Sequence, residues 1–539
     1  MLGNSGAGPP SRLSGLAILS WAIVAFLLLF AATGPWRIVG VEINRLAVPL
    51  GAALGLVILW MAVFPVARSA SAGAFLREDL HISRRLIAAG GAAATVLVYL
   101  LIRNRYYGFE VNAWDFSFYD RPLAHPFNGG FLFNDIENRS VLGTHAYFLL
   151  LPFLPLYAIT PSPQWLLGGQ AVLVGLAVVA GFYCLRKVSE DDVTAALLSA
   201  AFLVNPYTAR AAQYVFHPEI FYPACLFLLL HGFLAKRPVL FVLGLGATAA
   251  VKEDAVLPLV GLALSASLCY RRHRWAAVAA GAGVGLFLLD YYVVLPHFAG
   301  GPPWYEHYWA RYGSSPLAAA VGMATHPVAL AADFMRSGFW RLAATLAFTL
   351  FVGYETLLAA VPMILSYGAA ANTRLSQLRL YYSLPLLPFV FLAAASGLKK
   401  LGSLGTKTYA GHARARCRVG ALVVFLCSAF FGPGYRLVGR QAAEVPSRLA
   451  RSAADQPLLV QGALFPHVGY PRNYSVLKPP VVLDGRHGFL IAPHVSPYPF
   501  SRNELQAIAE RLLADSNYRV TTDRGVMLAA PATWATPQD

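Results

Sequence analysis

The chain has 539 residues and a mass of 58.2 kDa, with 57% hydrophobic and only 13% charged residues and a mean hydropathy of +0.55. A soluble globular chain carries about 25% charged residues, so a cytosolic enzyme and a secreted disulfide scaffold are excluded and most of the core belongs in lipid. The formal charge of +16 is gathered in Lys/Arg clusters between apolar runs, which reports membrane orientation and not a nucleic-acid partner.

Residues 1–13 form a polar Gly/Pro/Ser-rich tail, followed by apolar runs at 14–33 and 46–67. The first run lacks a convincing small-residue cleavage site and reads as an anchor, so 1–85 is an N-terminal extension with two transmembrane helices. Further spans are expected at 86–102, 164–186, 191–207, 219–235, 238–252, 255–270, 275–296, 338–352, 354–371, 379–398 and 416–432, about thirteen in all. Basic clusters at Arg12, Arg68–Arg85, Arg186-Lys187, Lys236-Arg237, Arg271–Arg274 and Lys399–Arg418 are placed in the cytoplasm. A multi-pass plasma (inner) membrane protein follows, with a cytoplasmic N-terminus and an outer C-terminus.

Residues 86–432 then make a transmembrane core with external loops 103–143 and 297–337. Parity keeps segment 144–160, which holds Pro152 and Pro155, from crossing, and it reads as a juxtamembrane helix at the outer interface. The hairpin 238–270 has arms of about 14 to 16 residues, about 21 to 24 Å long against about 30 Å of hydrocarbon, so its tip should be recessed. All five cysteines fall in or at the ends of spans and read as structural thiols.

Residues 433–539 alternate strand-like runs at 457–461 and 480–484 with a helix from Arg502 to Asp515, opened by Ser501 with Glu504 three residues on. Tyr518 to Leu528 reads as a hairpin turned at Asp523-Arg524-Gly525. This is a small external α/β domain.

Three polar constellations share the outer side in this topology. Loop 103–143 carries Trp114, Asp115, Tyr119, Asp120 and Arg121, then Asp135, Glu137, Arg139 and His145 just beyond it. Apolar neighbours raise a carboxylate's basicity and expel water; the plain alternative is a polar loop with an aromatic belt. At the tip of the 191–235 hairpin stand His217, Pro218 and Glu219, a helix-start device or a weak metal-ligand pair. Lys252, Glu253 and Asp254 form the recessed tip, where each charge costs about 2.5–3.5 kcal/mol at mid-bilayer and so needs water, a partner or a ligand. The loop 297–337 offers Trp304, Glu306, His307 and Arg311, an interfacial girdle on the plain reading. Arg374 and Arg379, with Tyr381 and Tyr382, open the twelfth span.

Through Trp114–Asp120, Phe216–Glu219 and Gly244–Asp254, the sequence resembles the domain of unknown function 2079 family of bacterial predicted membrane proteins. The resemblance runs from about residue 100 to the C-terminus, including Glu504 to Pro531, and leaves the first two spans as an addition. That family has no settled activity, and its fold is similar to the C-type glycosyltransferase (GT-C) superfamily. The resemblance implies a polyprenyl-phosphate sugar donor, chemistry at the outer face and an essential first-loop carboxylate. Asp115 or Asp120 would match that carboxylate, and Lys252 the superfamily's lysine after a Gly-rich arm. The chain departs from better-known members in lacking a His-Pro-Pro-Leu stretch and a large external domain, which leaves donor, acceptor and metal open.

The expectation is therefore an inverting membrane glycosyltransferase of the cell envelope, moving a sugar to an acceptor hydroxyl on a lipid, glycan or protein. Asp115, with Asp120 as second choice, would be the base. Lys252 and Arg379 would hold the donor phosphate; His217, Glu219, Glu253, Asp254, His145 and Tyr381 would orient substrate. The sequence does not require a divalent metal and does not exclude one. A transporter or flippase of lipid-linked or small polar cargo is the first alternative, though no paired halves are visible. A non-enzymatic envelope scaffold is the second. Deletion of 437–539 is expected to separate the two, since a scaffold would lose its role whereas an enzyme would keep at least partial chemistry.

Overall fold

The computed structural model describes residues 80–299, 305–404, 410–431, 437, 444–453 and 455–534, and two short paired strands, Trp36–Ile38 and Val41–Ile43. The expected spans 14–33 and 46–67, with most of the 1–85 extension and Trp304, lie outside the described residues. Among the described residues three helices are long and apolar enough to cross a membrane: Arg84–Tyr107, Gln164–Ser189 and His273–Ala299. Shorter apolar helices fill in around them at Asp192–Val204, Pro218–Leu234 and Pro238–Ala249.

Helices Arg84–Tyr107 and Gln164–Ser189 touch backbone to backbone because both are small at the crossing. A Cβ on Gly175 would stand 2.1 Å from Thr95 Oγ1 and 2.6 Å from the Gly91 carbonyl oxygen. Small residues permit this in lipid, where association rests on close packing. Asp191 caps helix Asp192–Val204 and also takes the buried Arg418 guanidinium, with Nη2 at 2.6 Å and Nε at 3.0 Å from its carboxylate oxygens. A buried charge needs such pairing, and the pair ties helix Ala410–Phe430 to the bundle.

The later spans depart from expectation. Stretch 338–371 is a chain of short pieces, Phe339–Thr345, Thr349–Phe351, Tyr354–Leu357, Leu358–Ala360 and Val361–Ala369. Ala347 and Phe348 take positive φ (49° and 57°) and interrupt the hydrogen-bond ladder. Helix Leu387–Ser403 starts eight residues later than expected, with Pro388 in its first turn. The expected external loop 297–337 contains two apolar helices, Pro316–Thr325 and Pro327–Arg336, bent by 98° at His326, where Pro327 cannot continue the first ladder. Segment 144–160 is helical as a 3₁₀ turn, Phe148–Phe153, followed by Leu154–Ile159.

The C-terminal residues build a five-stranded sheet in the spatial order Tyr474–Val476, Leu458–Val460, Gly488–Ile491, Val526–Pro531, Tyr518–Asp523. The first three strands are parallel and the last two join antiparallel. The expected capping box at Ser501 and Glu504 opens helix Arg502–Ala514, and the hairpin turns where Asp523 pairs with Val526. The expected strand 480–484 is irregular instead, since Pro479 and Pro480 offer no N–H to a ladder. One face of the sheet is covered by Leu505, Ile508 and Leu512 of that helix. The other face packs Val460, Leu490 and Leu528 against Phe109, Ala113 and Ile136 of loop 103–143.

Candidate functional site

Loop 103–143 leaves helix Arg84–Tyr107 and turns at once into a five-residue π-turn, Ala113–Ser117, capped by Asn112. Asn112 Oδ1 accepts from the Asp115 amide at 3.0 Å, and its Nδ2 donates to Asp115 Oδ2 at 2.7 Å. Tyr214, just before His217, donates its hydroxyl to the same Oδ2 at 2.9 Å. Asp115 Oδ1 faces His217 Nε2 at 3.5 Å. Burial disfavours the charge on Asp115, but bonds from His217, Asn112 and Tyr214 outweigh it and hold its pKa below the ordinary carboxylate value.

His217 sits between carboxylates. Burial opposes its protonation, and Asp115 and Glu219 together overcome that and raise its pKa. Its Nδ1 lies 3.5 Å from Glu219 Oε2 and 3.2 Å from the Tyr119 hydroxyl, and its ring stacks on Tyr381 with centroids 3.7 Å apart. Glu219 enters on the 3₁₀ turn Pro218–Ile220; its Oε1 receives Lys252 Nζ at 3.0 Å and the Tyr147 hydroxyl at 3.4 Å. Lys252 Nζ is 3.9 Å from Asp254 Oδ2, which also accepts from Tyr367 at 3.2 Å, while Oδ1 accepts from Tyr222.

Asp115, His217, Glu219, Lys252 and Asp254 thus form one connected line drawn from three separate stretches of chain. Its two ends are its accessible carboxylates, Asp115 at 24% and Asp254 at 25% side-chain exposure against 3% for Glu219. Glu253 turns the other way: its Oε1 takes His145 Nδ1 at 2.6 Å and its Oε2 the Ala146 amide at 3.2 Å, with His145 stacked on Tyr305.

Two expected members stand apart from the line. Asp120 is buried among other partners, where Oδ1 accepts from Tyr157 and, at 3.1 Å, from Tyr470 of the C-terminal domain. Arg379 is exposed, and its backbone amide bonds the Arg374 carbonyl at 2.8 Å. Its neighbours Leu378 and Leu380 both hold positive φ (51° and 58°), a strained pair of non-glycine positions. Among the described residues no three His, Cys, Asp or Glu side chains are grouped as ligands for a metal ion. The sequence analysis passed over the tyrosines that satisfy these acids, Tyr147, Tyr214, Tyr222 and Tyr367. Only Tyr214, two residues before the Phe216–Glu219 motif, carried a local signal.

Apolar spanning helices and a buried line of ionisable groups define a polytopic membrane protein. A family model described as a predicted membrane protein, DUF2079, matches residues 105–458, and the chain belongs to that family. All three motifs behind the resemblance lie inside the match, and Glu504–Pro531 lies beyond it. The structure of ArnT from Cupriavidus metallidurans bound to undecaprenyl phosphate aligns with 85% of this chain and 100% of that one, at 13% identity and a TM-score of 0.48. The arabinofuranosyltransferase AftD from Mycobacteria aligns with 84% of this chain and 40% of that one, at 15% identity and a TM-score of 0.46. No curated protein matches the chain.

Proposed function

We propose that the protein is an inverting membrane glycosyltransferase that moves a sugar from a polyprenyl-phosphate donor to an acceptor hydroxyl at the outer face of the plasma membrane. The observation that carries this reading is the connected line from Asp115 to Asp254. A base with an accessible carboxylate stands at one end, and a buried cation, Lys252, lies three contacts behind it. The leaving group is a phosphate, already a stable anion, so the site needs a base and cations and no strong acid. Asp115 takes the acceptor proton. His217 and Glu219 hold the base in place, with Tyr381 stacked beneath the imidazole. Lys252 lends charge where the donor phosphate leaves, and Arg379 meets the same phosphate from the surface. Glu253 with His145, and Asp254, shape the sugar's surroundings. The thirteen-span arrangement, with the C-terminal domain outside, belongs to this proposal.

The test is transfer from polyprenyl-phosphate sugars to added acceptors in vesicles holding the purified chain. Asp115→Asn should lower the rate by about 10²–10⁴-fold, the usual worth of a general base, while the labelled lipid still binds. Because Asp115 is held ionised, the rate should show no acid limb near pH 6. Wild-type protein that flips labelled lipid without any transfer would favour transport instead.

A further inference from the structure

The line from Asp115 leaves Asp120 unexplained, although it is a carboxylate only 2% exposed in the same loop. Its Oδ1 is shared by two hydroxyls from different parts of the fold: Tyr157, on the helix Leu154–Ile159, and Tyr470, in the C-terminal domain. Around it the two units are joined at many polar points. Ala113 donates its amide to the Gly462 carbonyl at 2.9 Å, two residues before Asp115. Arg121 donates to the carbonyls of Pro471 at 2.8 Å and Gly469 at 3.2 Å and lies over the Phe465 ring. His125 Nε2 meets the Tyr470 carbonyl at 2.7 Å, and Tyr106 donates to the Pro466 carbonyl at 2.5 Å. Gly462 packs so closely on Trp114 that a Cβ would come within 3.0 Å of its ring.

We propose that Asp120 is a positioning residue: its carboxyl, gripped by Tyr157 and Tyr470, fastens the C-terminal domain onto residues 105–136 and thereby fixes where Asp115 stands. In its activity arm this rests on Asp115 being the base. The groups facing Asp120 are Tyr157 and Tyr470 by hydrogen bond, with Arg121 and Tyr106 near enough to act through charge. Burial pushes its carboxyl up to about 6 against the two tyrosines and Arg121, as expected of an acid kept for its hydrogen bonds. Both tyrosines donate to one oxygen, and an asparagine amide oxygen can accept both in its place.

Hydrogen exchange on the full chain in detergent micelles tests the fastening without any substrate. Asp120→Ala and Tyr470→Phe should speed exchange in peptides covering 105–125 by about tenfold or more, the worth of a hydrogen bond to a charged group. Near pH 4, where the carboxyl still holds its proton, Asp120→Asn should stay within about threefold of wild type, half a decade being under 1 kcal/mol. Tyr470→Phe removes one hydroxyl only, so it remains informative if Asp120→Ala fails to fold. In the vesicle assay Asp120→Asn should keep transfer, and Tyr470→Phe should lower kcat with KM unchanged. Unchanged exchange in both Asp120→Ala and Tyr470→Phe would overturn the fastening. Loss of transfer in Asp120→Asn as complete as in Asp115→Asn would make Asp120 the catalytic group instead. A wild type with no transfer sinks the glycosyltransferase reading and leaves the exchange result to decide the fastening by itself.

Discussion

Glu219 and Lys252 are each under a tenth exposed and 3.0 Å apart, and their worth depends on which is removed. A buried pair that loses one partner leaves an uncompensated charge, at a cost of about 3–5 kcal/mol, whereas removing both can be nearly neutral. Lys252→Met should therefore lower the melting temperature of the detergent-solubilised protein sharply, and Lys252→Met with Glu219→Gln should recover most of the loss. Asp120 supplies a pH-dependent counterpart. Its carboxyl rises from 3.8 to about 6 on folding because burial opposes its charge. The folded chain then holds the proton more tightly than the unfolded one. Its stabilising contribution is complete below about pH 4 and is lost as pH rises through 6. At 1.36 kcal/mol per unit, the loss is about 3 kcal/mol. Asp120→Asn carries no such proton, so its melting temperature should match wild type near pH 4 and exceed it at pH 7.5. Equal pH slopes for the two proteins would refute this.

Among the elements, the hairpin of Phe221–Leu234 and Pro238–Ala249 carries most of the burden of placing Lys252. Its arms can close only where side chains are missing. A Cβ at Gly232 would lie 2.4 Å from the Phe241 amide nitrogen, and one at Gly244 would lie 2.5 Å from Leu229 Cα. Both obstacles are backbone and cannot swing away, so Gly244→Val should wedge the arms apart, whereas Gly246→Ala, with nothing within 4 Å, should be tolerated. Yield of monodisperse protein in detergent measures the difference. These helices were legible in the sequence because apolar length and flanking Lys236-Arg237 give a one-dimensional signal. The break-up of 338–371 was not, since no glycine or proline marks Ala347 and Phe348, whose left-handed conformations arise from tertiary packing. For the site, Asp115, His217, Glu219, Lys252 and Asp254 stood out as charges inside apolar surroundings. The separation of Asp115 from Asp120 did not. Five residues apart around an irregular π-to-α turn, the two carboxylates face different partners, a matter of helix phase that the sequence spacing leaves open.

At the scale of the whole molecule, the C-terminal domain packs on the first loop, and from that packing its deletion is expected to cost more of the chemistry than the sequence alone suggests. Its sheet has two apolar faces to cover. Helix Arg502–Ala514 covers one, and Phe109, Ala113 and Ile136 of the first loop share the cluster on the other. His467 shows how dry that junction is. It packs between Tyr106 and Phe109 with ring centroids at 4.3 and 4.7 Å, and burial drives its pKa down to about 3, so the imidazole is neutral at any working pH. Lys478 Nζ adds a bond to the Ile136 carbonyl at 2.5 Å. Truncation after residue 436 would expose Phe109, Ala113 and Ile136 and strip the partners of Arg121 and Tyr106, while leaving the contacts of helix Gln164–Ser189 with Arg84–Tyr107 untouched. The truncated chain should still assemble in the membrane, yet residues 108–140 should become sensitive to added protease and transfer should fall to background. His467→Asp gives a subtler version in the full chain, because a carboxylate forced between two aromatic rings has no partner there and must either stay protonated or push the junction open. Its protease sensitivity should therefore rise with pH, and a variant as resistant as wild type at pH 8 would show that the junction does not hold the first loop in place.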